Sequence, residues 1–265
     1  MKRIFTLLLA FLAISSAIHA QAPSDSTKRT LKIMTYNLRF GERASMRKIA
    51  EEIKAQNPDF VALQELDICT NRNAAKANND INFINELAFF TGMFGQFGRT
   101  IDFGKHGYYG IGLLSRHPMT SIENIALPNP SRGEPRALLL GHFLLDGKTP
   151  FVFASTHLDY QSKETQAQQA DFIVKTLNGQ GIPAVVAGDF NSVAGSEVFR
   201  LFSSGANLSG TNPTFPADVP EKKLDYIYGF PADAFTLVDT AEGEASASAA
   251  SDHLPVMSTI TVELP

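Results

Sequence analysis

Three observations predict an α/β fold. Apolar runs of strand length alternate with amphipathic runs of helical spacing, the strand runs end on polar residues, and the order strand, helix, strand is complete within about forty residues. The first run, "LKIMTYNL" (31–38), alternates like a buried strand and stops near Asn37. Met46, Ile49, Ala50 and Ile53 then recur at helical spacing, with Ser45 placed to cap their start and Asn57-Pro58 to stop them. "DFVAL" (59–63) closes the unit as a second strand ending in Gln64-Glu65.

The pattern then recurs. A helix is expected from Asp80, carrying Ile81, Ile84, Leu87 and Ala88 on one face. Strands are expected at 109–115, 136–145 and 150–156, the last ending at His157. The strongest helical pattern spans 162–177, and strands follow at 183–188, ending at Asp189, and at 224–229 and 255–264. "EASASAAS" (244–251) reads as a flexible surface loop that ends at the pair Asp252-His253. No internal repeat is present.

Composition narrows the functional classes. Hydrophobic residues make up 44% of 265, enough for a sizeable core, which excludes a disordered chain. The formal charge is -4, and without Lys2 and Arg3 it becomes about -6. No basic grouping is longer than a pair such as Lys28-Arg29 or Lys222-Lys223, so a nucleic-acid partner is not favoured. Twenty Phe against six Tyr and no Trp reads as core and not as a base-stacking surface.

Residues 1–20 read as a secretory signal peptide: Lys2 and Arg3, an apolar stretch from Ile4 to Ile14, then small residues through Ala20. Cleavage after Ala20 or Ala22 fits, and Pro23 favours the first. An exported domain from 31 to 265 is therefore expected after a linker at 21–30, with no transmembrane segment, transient contact with membrane lipid allowed, and a monomeric state. The single cysteine, Cys69, rules out an intrachain disulfide and reads as an inert small residue near the site mouth.

Polar residues gather at the strand ends: Asn37, Glu65, His157, Asp159, Asp189, Asn191, Asp225, Asp252 and His253. One such residue is usually a turn or cap residue. Nine at the ends of apolar strands point instead to a site, because buried charges need partners or a metal. Carboxylates with an amide oxygen suit a hard cation, Mg²⁺ or Mn²⁺, that assists hydrolysis of a phosphate ester. Zinc spacing, a Gly-x-Ser-x-Gly elbow and a P-loop are all missing. His106, His117 and His142 read as surface or packing residues, and Asp159 as a support for His157 or a turn residue. Asp67, Thr70 and Arg72 follow Glu65 in a loop, where they shape the substrate side or are merely solvated.

The series "TYNL", "ALQELD", "GYYGIGLLS", "STHLD", "GDFN", "LDYIY" and "SDHLPV", in that order over 31–264, resembles the endonuclease/exonuclease/phosphatase superfamily. Deoxyribonuclease I and the sphingomyelinases are relatives in that superfamily. The resemblance implies an α/β (α+β) four-layer sandwich, two packed mixed β-sheets flanked by helices, and a metal-dependent phosphoesterase site at the sheet ends. It implies Glu65 as the main metal ligand, with Asn37 beside it and Asp252 binding or approaching the metal. Asp189 is to orient or deprotonate the attacking water, and Asn191 to hold that geometry or touch the phosphate. His253 is to donate to a phosphoryl oxygen, kept protonated by Asp225, and His157 is to be a second phosphate-facing imidazolium. Tyr108 is placed on the phosphate by the offset of the glycine-rich strand, with Tyr109 adjacent, and Arg136 adds a positive contact.

One position departs from the pattern. Apurinic-site nucleases of the superfamily carry an acidic residue two positions after the "TYNL" asparagine, where this chain has Arg39. That argues against DNA repair. Residues 46–67 resemble small exported members related to the hydrolase-like domain of GPI-anchor remodelling proteins, which implies a small or lipid-type phosphoester substrate. A secreted endonuclease acting on DNA or RNA is the alternative, and a non-catalytic binding module that keeps the fold is a third reading.

Overall fold

The computed structural model describes residues 27–243 and 249–264. In β1 (Thr27–Asn37), Leu31 and Ile33 point to one side and Met34 and Tyr36 to the other, and all four are buried. A strand apolar on both faces needs a layer on each side. Here the layers are a second sheet and a pair of helices.

The next elements are α1 (Met46–Gln56), β2 (Phe60–Ile68), α2 (Phe83–Thr91), β3 (Phe94–Asp102), β4 (Tyr108–Ser115) and β5 (Met119–Ala126). They are followed by β6 (Ala137–Leu145), β7 (Thr149–His157), α3 (Lys163–Asn178), β8 (Ala184–Asp189) and α4 (Glu197–Phe202). The last strands are β9 (Ala206–Asn207), β10 (Asp225–Phe230), β11 (Phe235–Glu242) and β12 (Val256–Leu264). Two six-stranded sheets result, ordered β11-β12-β1-β2-β4-β3 and β5-β6-β7-β8-β10-β9. Each is mixed, with one parallel pair, β1/β2 and β7/β8, near its centre.

Three clusters of buried side chains separate four layers. Leu31, Ile33, Phe60 and Leu113 of the first sheet pack against Phe143, Phe151, Phe153 and Val185 of the second. The outer face of the first sheet carries α1 and α2 through Ile49, Ile53, Phe83 and Leu87. The outer face of the second carries α3 and α4 through Ile173, Leu177, Val198 and Phe202. The expected α/β (α+β) four-layer sandwich is what the chain forms.

Helix ends follow the sequence signals. The side chains of Ser45 and Ser162 accept from the backbone N–H of Lys48 and Thr165, and Asn57 ends α1 in a left-handed conformation. The helix expected from Asp80 starts three residues later, at Phe83: Asp80 has φ 62°, and Asn82 is the cap that accepts from Asn85 N–H. β1 begins at Thr27, so Thr27–Thr30 belong to the sheet and not to the expected linker, pairing with Leu264–Thr261 of β12. The expected signal peptide lies outside the described residues, as do 244–248 of the expected loop. At the end of that loop Ala250 and Ser251 are buried. No helix among the described residues is long and apolar enough to cross a membrane.

Phe60 is fully buried between the sheets, with the rings of Phe143, Phe153 and Phe151 at 4.9, 5.1 and 5.4 Å. Phe60→Ala removes this contact at the centre of the sandwich. Urea denaturation of the variant is expected to show a loss of about 3–5 kcal/mol.

Candidate active site

Four strand-borne side chains gather at one end of the sandwich because each is the last inward-facing residue of its strand. The inner sets run Leu31, Ile33, Thr35 to Asn37 in β1, and Phe151, Phe153, Ser155 to His157 in β7. They run Val185, Ala187 to Asp189 in β8 and Ile227 to Asp225 in β10. Register sets His157 beside Asp189 and Asp189 beside Asp225. Glu65 arrives by a different device. Between Leu63 and Leu66 the β2/β4 register slips by one residue, and Glu65 has φ 58°. This bulge turns Glu65 toward Asn37 while Leu63 and Leu66 both stay in the outer core.

The Asn37 amide ties the two sheets together at this end. Asn37 Nδ2 lies 3.2 Å from Glu65 Oε1 and 3.1 Å from Asp189 Oδ2, and Asn37 Oδ1 accepts from Arg39 N–H at 3.0 Å. Both ends of the amide are thus used. Asn37, expected beside Glu65 as a metal ligand, orients the two carboxylates from below. Asp189 Oδ1 also accepts from Asn191 N–H at 2.8 Å, and burial raises the Asp189 carboxyl above its ordinary range. Asn191 sits at φ 47° in a loop held by Gln166 of α3, whose amide donates to the carbonyls of Asp159, Phe190 and Asn191.

The two histidines take opposite charge states. His253 Nδ1 is 2.9 Å from Asp225 Oδ2 and its Nε2 3.7 Å from Asp189 Oδ2. Burial pulls its pKa down, but Asp225 and Asp189 more than reverse this and push it up to about 10. Thr214 Oγ1 donates to the same Asp225 oxygen at 2.6 Å, and the Phe215 ring lies 4.8 Å from the imidazole. His157 is fully enclosed, and its pKa is held well below the ordinary value by burial, by Arg136 and by His253. Arg136 Nη1 lies 2.9 Å from its Nδ1 and Asn191 Nδ2 2.9 Å from its Nε2, so both ring nitrogens face donors and the ring is neutral. The expected second imidazolium is therefore absent, and the buried Arg136 guanidinium carries that positive charge.

The cavity over these groups measures about 470 Å³. Glu65, Arg136, His157, Asp189, Asn191, Asp252 and His253 line it, while Asn37 and Asp225 lie behind the wall. Tyr108, expected on the phosphate, does not reach it. Tyr109 does, because it shares the inward face of β4 with Ile111 and Leu113, whereas Tyr108 is turned out beside the Arg99 guanidinium. Asp252 and His253 precede β12 in a bend and not in extended chain, so both face the one cavity. The Asp252 carboxylate is paired with Arg39, which also pairs with Glu42.

Sequence reasoning passed over Glu134, which pairs with Arg136 at 3.0 Å, and Phe215 and Tyr160, which also line the cavity. Glu134 stands two residues before Arg136 in "EPRALL", which is a signal, but Phe215 and Tyr160 sit in loops without one. Cys69 is exposed with φ 53°.

The donor set suits a hard cation. Glu65 has a pKa raised by burial, and among the described residues its only hydrogen bond is the one from Asn37. A buried carboxylate so sparsely compensated fits a divalent ion beside it, with Asp252 as a second oxygen donor on the same wall. Asp189, Asp225 and His253 form another group that could hold a metal, their ligand atoms lying within 4.8 Å. There, however, the proton on His253 competes for the lone pair.

This arrangement, with acidic oxygens, a protonated imidazole and a guanidinium around one small cavity, is that of a metal-assisted phosphoester hydrolase. The chain belongs to the Endonuclease/Exonuclease/phosphatase family, whose model matches residues 34–253, and members of that family are divalent-metal-dependent hydrolases of phosphoesters. No curated protein matches the sequence. The fold is shared with an endonuclease/exonuclease/phosphatase from Bacteroides vulgatus at 18% identity and TM-score 0.72, covering 89% of this chain and all of that one. It is shared with a mannosyl-6-phosphatase from Bacteroides thetaiotaomicron at 20% identity and TM-score 0.66, covering 87% and 99%. The human Nocturnin catalytic domain, with bound sulfate, is similar at 19% identity and TM-score 0.68, covering 91% and 98%.

The two tyrosines give a test of the face assignment. Tyr109→Phe is expected to lower kcat/KM about tenfold by removing one hydrogen-bonding hydroxyl from the cavity wall, while Tyr108→Phe stays within about twofold. Steady-state kinetics of both variants on a single phosphoester decide it.

Proposed function

We propose that the chain is an exported phosphoesterase that acts on a small phosphoester in the presence of Mg²⁺ or Mn²⁺. The observation that carries this reading is the Asn37 amide, which holds a cation-type carboxylate, Glu65, and a base-type carboxylate, Asp189, on either side of one atom. Export rests on the signal-peptide pattern of the first twenty residues. A cavity of about 470 Å³ in an acidic protein supports a small ester over a polyanion, which would need a basic track. A mannosyl-6-phosphatase among the proteins of the same fold supports the phosphomonoester branch of this reading.

In the proposed reaction the phosphoryl group sits in the cavity over Asp189 and His253. Asp189 orients the attacking water and takes its proton, with Asn191 N–H holding the carboxylate in place. His253, kept protonated by Asp225, donates to a phosphoryl oxygen as negative charge grows there. Arg136 adds a fixed positive charge from beside His157, whose neutral ring anchors the guanidinium. A divalent cation held by Glu65 and Asp252 supplies further neutralisation of the phosphoryl oxygens when bound.

Asp189→Asn and His253→Ala are each expected to lower kcat by ~10²-fold or more while the fold, read by thermal melting, persists. Chelator is expected to abolish the wild-type rate and Mg²⁺ or Mn²⁺ to restore it. The decisive assay is a panel of phosphomonoesters, phosphodiesters, phosphoinositides and DNA. Hydrolysis indifferent to chelator, or DNA cleaved as fast as the small esters, would refute the reading.

A further inference from the structure

Beside the reacting groups, in the wall of the same cavity, a second polar element is built around Arg72. Arg72 leaves the loop after β2 and returns over Asp67, a side chain almost wholly enclosed. Its Nε donates to Asp67 Oδ2 at 2.6 Å and its Nη2 to Oδ1 at 3.1 Å. Thr70 also donates to that carboxylate. Three rings surround the guanidinium carbon, those of Phe40, Tyr109 and Phe103 at 4.7, 5.3 and 5.8 Å. Arg72 and all three rings line the same cavity as Glu65 and His253.

The backbone that presents Phe40 is also constrained. Arg39, Phe40 and Gly41 follow one another with φ 44°, 41° and 67°, and two of the three are not glycine. Asn78 holds this turn from beneath: its Nδ2 donates to the carbonyls of Gly41 at 2.6 Å and Ala44 at 2.8 Å, and its Oδ1 accepts from Met46 N–H. A left-handed pair held by a buried amide is a conformation that the surroundings enforce.

We infer that Arg72 and the rings around it form a specificity subsite for the alcohol half of the phosphoester, and that this half is a compact polyhydroxylated ring, a sugar or cyclitol. The inference rests on the phosphoesterase reading above and goes beyond it in naming the substrate class. The reasons are chemical. The fork on Asp67 neutralises the guanidinium, so the subsite is not a second anion site. The guanidinium already lies over each of the three rings, so a planar base would have to compete with it for a stacking face. What remains on the cavity side is the Nη1 edge of Arg72, for which no hydrogen bond is found among the described residues, in an apolar frame. That edge can donate to hydroxyl oxygens of a bound alcohol.

The test is binding, measured on the Asp189→Asn chain with Mg²⁺ so that turnover does not interfere. Glucose 6-phosphate and inositol monophosphate are expected to bind at least about tenfold more tightly than inorganic phosphate, the worth of one or two hydrogen bonds. Adding Arg72→Ala is expected to erase that advantage. Arg72→Lys, which keeps the charge and serves as the control for folding, is not expected to restore it, because an ammonium cannot bridge Asp67 and the ligand together. In the otherwise unaltered chain, the kcat/KM ratio of hexose 6-phosphate over aryl phosphate should fall about tenfold with Arg72→Ala, mainly through KM.

Sugar phosphates that bind no better than inorganic phosphate overturn the inference, as does an advantage that survives the loss of Arg72. Fructose 1,6-bisphosphate bound more tightly than glucose 6-phosphate in a manner that depends on Arg72 makes the subsite an anion site, and adenosine 5′-monophosphate bound more tightly than ribose 5-phosphate in the same manner makes it a base site. Either outcome overturns the polyol assignment. Binding needs no turnover, so a wild-type chain that hydrolyses nothing removes the function proposed above and leaves this test standing.

Discussion

The amide of Asn37 is the contact on which the site depends. It is the last inward residue of a central strand in one sheet, and it donates to Glu65 of its own sheet and to Asp189 of the other. Two carboxylates brought this close under the surface repel, and burial raises the cost of ionising each. A neutral donor between them lowers that cost without consuming either charge. An ammonium or guanidinium in the same place would pair with both and leave nothing for a cation or a water.

Charge is distributed around this amide so that each buried group has a defined partner. Asp225 holds the proton on His253, Arg136 withholds one from His157, and Arg39 balances Asp252. Removing one member of such a pair typically costs 3–5 kcal/mol, because the other is left buried and uncompensated. The exception is Glu65, a cavity carboxylate whose side chain has only an amide for company among the described residues. The arginine at position 39 also explains the departure from the apurinic-site nucleases at sequence level. Its guanidinium balances Asp252 where those enzymes would place another acid.

Several left-handed residues lie in or near the cavity wall. Arg39, Phe40, Glu65, Cys69 and Asn191 all have positive φ, at about 1–3 kcal/mol each for non-glycine residues. The interior of the sandwich, with Phe60 among three other phenylalanines and apolar layers on both sheet faces, is the reservoir of stability that tolerates it. Residues of the cavity wall are placed by such turns: Glu65 by the β2 bulge, Asn191 by the loop that Gln166 holds, Phe40 by the turn over Asn78.

The sequence by itself determined the eight interior strands and the helices α1 to α3, through alternation, helical spacing and the caps at Ser45, Asn57 and Ser162. It missed β3, β5, β9 and β11, which are the four edge strands of the two sheets. An edge strand is half solvated and carries little apolar patterning, as the exposed runs of β5 and β11 illustrate. Site residues were legible because each is polar at the end of an apolar run. Which way they point was not. In a strand apolar on both faces, alternation has no phase until the neighbouring layers are in place, so Tyr108 and Tyr109 were interchangeable until β4 was packed. The neutral state of His157, the bridging role of Asn37 and the seating of Arg72 on Asp67 likewise depend on partners distant in sequence or on the path of a loop. Only the tertiary structure decides those, because charge state and hydrogen bonding are properties of the surroundings and not of the residue.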